Sequence, residues 1–127
     1  GWNTVPKMAR EWIPDGLFSI SPWYLNFVED NFTVQFCHRM LGWILFILII
    51  GFWRYTRGFV LTLQQDWAVT TFMYILICQF LLGILTLILV VPIWLGALHQ
   101  AGALMLVIGW TYTYFLINNT ADETTLA

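Results

Sequence analysis

"VQFCHRMLGWILFILIIGFW", residues 34–53, opens with two ionisable side chains, His38 and Arg39, and then runs on through apolar and small residues alone. A helix needs about 20 mostly apolar residues to cross the hydrocarbon core of a bilayer. The stretch is therefore read as a span entered through a charged lip. Two more stretches meet the same requirement, Trp67 to Val91 and about Leu95 to Ile117. The three are spans A, B and C of an all-α membrane protein. Asp66 is expected to cap the start of B, and Pro92 to stop B because its ring cannot continue a helix. "PIWLG", residues 92–96, is expected to form the tight turn into C. Links this short make consecutive spans antiparallel. The expected architecture is three transmembrane helices forming most of a four-helix bundle, whose polar faces require an enclosing fourth wall.

Composition points the same way. Of 127 residues, 60% are hydrophobic and 9% charged, against roughly 25% charged in an average soluble domain; mean hydropathy is +0.76. Five cations in no basic run and a formal net charge of −2 leave no footprint for nucleic acid, so membrane lipid is the expected surrounding. Cys37 falls at one end of A and Cys78 in the middle of B. A bridge between them would join mismatched depths, so free thiols are expected. The front carries neither a start methionine nor the pattern of a cleaved signal, which suggests a processed form or a piece of something longer.

Residues 1–32 differ in kind from residues 33–127. They hold Pro6, Pro14 and Pro22, the acids Glu11, Asp15, Glu29 and Asp30, and the aromatics Trp2, Trp12, Phe18, Trp23, Tyr24 and Phe27. Amphipathic rings favour the headgroup level, so this segment is expected to be an aromatic-rich external loop lying at the interface, with 33–127 as the transmembrane half-domain. Arg54 and Arg57 flank the A to B link, whereas the B to C turn is uncharged. The positive-inside rule then puts the A to B link and the carboxy terminus in the matrix or cytoplasm, and the amino-terminal loop outside. Lys7 and Arg10 oppose this, but they lie far from span A and among acids.

Spans A and C run the same way, so their starts share one side of the bilayer. His38 is four residues beyond Val34 and His99 four beyond Leu95; at 1.5 Å per residue each lies roughly 6 Å along its helix. They are the two histidines of the chain, and an intramembrane ionisable group is a functional candidate by default. Two facing imidazoles can hold a heme iron axially inside a helical bundle. Gly42, Gly102 and Ala103 fall on the same helical faces as their histidines and leave room for a flat ring, although small residues also serve close helix packing. Both readings stand at this stage. Copper or zinc suits the sequence less, because no carboxylate or thiolate cluster supplies the further ligands they take. Cys37 points about 100° away from His38 around the helix. Arg39 can snorkel to heme propionates or to lipid phosphates. Gln79 and Gly83 share a face of B, and Gln79 either bonds a neighbouring helix or borders a cofactor.

Fragments spread along the chain resemble one family. "NTVPKMAREWIP" (3–14) is similar to the loop after the fifth span of the heme A synthases. "TVQFCHRMLG" (33–42) resembles the opening of their sixth span, and "QFLLGILTLILVVPIWLGALHQAGAL" (79–104) the end of the seventh and start of the eighth. They occur in order over nearly the whole chain, which makes the resemblance specific to the carboxy-terminal half. It implies an eight-span fold of two similar four-helix halves that oxidises a methyl of heme o to the formyl group of heme A for cytochrome oxidase. It also implies that His38 and His99 are the bis-histidine ligands of a heme b in the second half, with no catalytic residue on this chain and Arg39 near the propionates. Bis-histidine ligation fills both axial positions and suits electron transfer. The family's first half receives the heme o substrate and supplies a glutamate on a span and, in many bacterial members, an external cysteine pair; neither the glutamate nor the cysteine pair is here. The expected function is accordingly the heme b-binding half of a split heme A synthase, completed by a second chain and not competent alone. The alternative is a noncatalytic, cytochrome-b-like or structural subunit of a larger respiratory assembly. The implied location is the mitochondrial inner membrane or a bacterial plasma membrane.

Overall fold

The structure is a computed structural model and describes residues 3–125. Three α-helices follow an amino-terminal segment that holds a short 3-10 turn: α1 (Asn31–Thr56), α2 (Leu63–Ile88) and α3 (Ile93–Thr125). Each contains a stretch long and apolar enough to cross a membrane. Among the described residues there is no strand, only an isolated pairing of Met8 with Glu11.

Two polar knots order the amino-terminal segment, and the second of them ties it to α1. Asn26 is wholly buried in the 3-10 turn Trp23–Phe27. Its amide accepts from Ile20 N at 2.8 Å and donates to Ile20 O and Trp23 O at 2.7 and 2.8 Å. Asp30 caps α1 by accepting from Phe32 N at 3.1 Å. The Thr33 hydroxyl donates to the Asp30 carboxylate and accepts from Phe18 N at 3.1 Å. That hydroxyl, helped by the backbone N–H groups of Phe32 and Thr33, holds the Asp30 carboxyl below its ordinary pKa. Around these knots Phe18, Trp23, Tyr24 and Phe27 stay exposed, with ring centres 5.7–6.3 Å apart along the cluster.

Helix α2 starts earlier than expected. Its cap is Thr62 rather than Asp66: the Thr62 hydroxyl accepts from Gln65 N at 3.2 Å, and Gln65 Oε1 accepts from Thr62 N at 3.0 Å. This reciprocal pair satisfies two of the amides a helix start leaves open, and Asp66 cannot compete from inside the first turn. Asp66 instead meets Arg57 at 2.6 Å across the link from α1. The far end also differs. Helix α2 stops at Ile88, and the chain reverses through Leu89–Pro92 with Val90 and Val91 in the left-handed region at φ 62° and 54°, an uncommon state for branched residues. Val91 N reaches back to Thr86 O at 2.8 Å, closing the orphaned carbonyls of the helix end. "PIWLG" is thus the opening of α3, not a turn; Gly96 N already donates to Pro92 O at 3.0 Å. Proline suits a helix start because its missing N–H would have no partner there.

Helix α2 lies between the other two. Against α1 it packs Phe80 on Phe46 and Trp43, with ring centres 4.4 and 4.8 Å apart, and Phe72, Met73 and Leu76 around Ile49. Against α3 the fit is closer, because Gly109 receives Phe72 and Gly102 receives Gln79. Two glutamines of α2 also bond the backbone of α3, Gln65 Nε2 to Leu116 O at 3.2 Å and Gln79 Nε2 to His99 O at 2.7 Å. These pairings run in opposite order along the two helices, which makes α2 and α3 antiparallel. Among the described residues no Cα of α1 comes within 8 Å of one in α3. Side chains alone bridge them, His38 to His99 near one end and Phe52 to Trp110 near the other.

Candidate paired-histidine site

The two histidines expected at one depth do meet. Their ring centres are 6.2 Å apart with planes inclined by 80°. They are held differently. His38 projects from α1 and is exposed, whereas His99 is partly covered and sits on α2: its Cε1 lies where a Cβ on Gly83 would approach to 2.8 Å. The His99 carbonyl accepts the Gln79 amide, so α2 grips both the ring and the backbone of this one residue. Buried His99 Nδ1 and Gln79 Oε1 have no protein hydrogen-bond partner among the described residues.

Metal–imidazole bonds of about 2 Å on either side of one metal ion place two ring centres about 6 Å apart. The observed spacing fits a single ion shared between the rings, and any crossing angle of the planes is allowed because each ring can rotate about its own bond. Among the described residues no group of three or more His, Cys, Asp or Glu gathers anywhere, so such an ion draws two ligands from this chain.

The other residues singled out from the sequence divide between the two helix faces. Gly42 follows His38 by one turn and borders open space, with nothing within 4 Å of where its Cβ would be. Gly102 does not border space, because a Cβ there would overlap Gln79 Oε1. Ala103 is exposed on α3. Gln79 takes the helix-to-helix role, at the histidine itself. Arg39 Nη1 donates to Thr4 O at 2.6 Å and so pins the amino-terminal segment over the lip of α1 beside His38. Cys37 and Cys78 are free thiols.

Two contacts were beyond sequence reasoning. The phase of Gln79 and Gly83 puts them on one face, but nothing in the sequence shows that His99 is what they face. Arg39 to Thr4 joins a side chain to a backbone carbonyl 35 positions away, and such a bond leaves no compositional signal.

Three apolar spans place the chain among polytopic membrane proteins, and its two imidazoles meet between α1 and α3. A family model described as cytochrome oxidase assembly protein (COX15-CtaA) matches residues 2–110. The chain belongs to that family. It is 47% identical over 105 residues to a heme A synthase of Nitrosospira multiformis, covering 83% of this chain and 30% of the relative. Against the heme A synthase of Parvibaculum lavamentivorans identity is 44%, over 82% and 29%. Against human heme A synthase COX15 it is 38%, over 85% and 26%. The chain thus spans 23–30% of the length of curated relatives such as these. No solved structure matches it.

Proposed function

We propose that this chain acts in heme A biosynthesis as the heme b-binding half of a heme A synthase, in the mitochondrial inner or bacterial plasma membrane. The observation that carries the reading is the 6.2 Å approach of His38 and His99 from two helices whose backbones stay apart among the described residues. A donor set of two imidazoles suits an iron whose remaining positions are filled by a ligand of its own, as in a porphyrin. Gly42 keeps the adjoining face of α1 open for the plane of such a ring. Relatives named heme A synthase, alike over more than four fifths of this chain, support the same assignment.

In this reading His38 and His99 would hold the iron through their imidazole nitrogens, and α2 fixes the second of these side chains. Arg39 sits at the lip, where its guanidinium can reach propionates as well as Thr4. A heme held by these two imidazoles would supply one-electron transfer. The residues of this chain bind and orient it and keep water from its buried side. Further spans, from a second chain in a split enzyme, cover the face on which His38 is exposed; the amino-terminal loop faces outward and the Arg57 end inward.

The test is a reduced-minus-oxidised spectrum of the chain purified from heme-supplied membranes. A low-spin b-type signal is expected, and it should vanish in both His38→Ala and His99→Ala. Survival in either variant removes the site. For the biosynthetic role, heme A content should collapse in cells lacking the chain; an unchanged content would make it a noncatalytic subunit.

A further inference from the structure

We propose that Gly83 is a positioning residue for the His99 ligand: its missing side chain sets how deeply the imidazole seats on α2, and so where its nitrogen stands relative to His38. The inference rests on the paired-histidine reading and deepens it. Metal-binding histidines are usually oriented by a hydrogen bond from the second ring nitrogen to a carboxylate, carbonyl or water. Among the described residues no protein group plays that part for the buried Nδ1 of His99. Shape supplies an orienting contact instead. The Cε1 edge rests on Gly83, with Nδ1 and Nε2 at 3.4 and 3.5 Å from the position a Cβ would take. One turn before Gly83, Gln79 Nε2 holds the His99 carbonyl at 2.7 Å, and Gly102 leaves the room that lets Gln79 reach it. The ring is therefore located from two sides by α2, while His38 on α1 is not held in this way. A methyl at residue 83 would meet Cε1 at 2.8 Å, so the imidazole must tilt or rise toward α1.

The experiment compares Gly83→Ala with Gly96→Ala, whose added methyl lies on α3 three residues before His99 and meets nothing within 4 Å. Both are made in the full chain, produced in heme-supplied membranes. The readouts are heme retained per chain, midpoint potential, and the low-spin g values, which report the ligand planes. Gly83→Ala should lose heme affinity by about 10–100-fold, the scale for losing a group that orients a metal ligand, and shift the g values of what remains. Gly96→Ala should match the parent. Should Gly83→Ala fail to accumulate, Gly102→Ala serves instead: it displaces Gln79 and should shift the same g values by freeing the His99 backbone. Parent-like heme retention, potential and g values in Gly83→Ala, or in Gly102→Ala where that variant stands in, overturn the positioning role and leave the heme reading intact. An absence of any low-spin signal in the parent chain overturns both.

Discussion

Gly42 and Gly102 are both small residues one turn past a histidine, yet they do opposite things. Gly102 is filled by Gln79, whereas Gly42 faces open space. Replacing Gly42 by alanine removes backbone freedom and favours the helix by up to about 1 kcal/mol. The heme-free chain should be unharmed, with unchanged helix content and melting, while heme retention falls as the methyl meets the ring. Equal retention would place the ring elsewhere. Asp30 offers a second test at this scale. Its pKa is depressed, first by the Thr33 hydroxyl and then by backbone N–H groups. A carboxyl whose folded pKa lies below the unfolded one stabilises above the unfolded value and loses that contribution as pH falls through the folded value. The knot joining Phe18, Asp30 and Thr33 should therefore hold at neutral pH and loosen only in acid, below the ordinary carboxylate range. Amide exchange at Phe18 and Phe32, followed against pH, measures it; protection lost already near neutral pH would contradict the assignment.

Each helix boundary was decided by local hydrogen bonding that composition only partly foretold. The apolar runs gave three spans, but α2 begins four residues before Trp67 because Thr62 and Gln65 satisfy one another. Thr62→Ala should cost about 0.5–2 kcal/mol, the usual range for a lost cap, and show as fraying of Leu63–Asp66 in amide exchange. The two glutamine bonds from α2 to α3 belong to this scale too. Interhelical hydrogen bonds in membranes average about 0.6 kcal/mol and reach about 1.7. Gln65→Leu and Gln79→Leu should then destabilise the α2–α3 pair by similar small amounts in detergent unfolding, but Gln79→Leu alone should disturb the heme spectrum. Equal spectral effects would show that Gln79 matters only for packing.

For the whole molecule, α2 and α3 form the tight pair, and α1 reaches α3 through side chains only. That leaves His38 on an open face, which in a bilayer calls for another protein wall, since an ionisable group facing lipid is costly. The proposed orientation follows from the Arg54 and Arg57 end lying opposite the aromatic segment. Single cysteines at Ile13 and Val60, 74% and 104% exposed, in a chain with Cys37 and Cys78 replaced by alanine, should react with a membrane-impermeant thiol reagent from opposite sides. Labelling of Ile13→Cys from outside and of Val60→Cys only after permeabilisation is expected. The reverse pattern would invert the topology.

Hydrophobic run length, the one strong signal in this chain, determined the three spans and their antiparallel order, because twenty apolar residues have few other places to go. Helical rise then set His38 and His99 at one level. What run length and rise could not decide is which way each face turns. Whether Gly102 opens a cavity or receives Gln79, whether Gln79 meets lipid or the His99 carbonyl, and what rests on Gly83 all depend on how α2 and α3 rotate against each other. That rotation is set by many small contacts between residues far apart in sequence, such as Phe72 with Gly109 and Gln65 with Leu116, and only the packed tertiary structure brings them together.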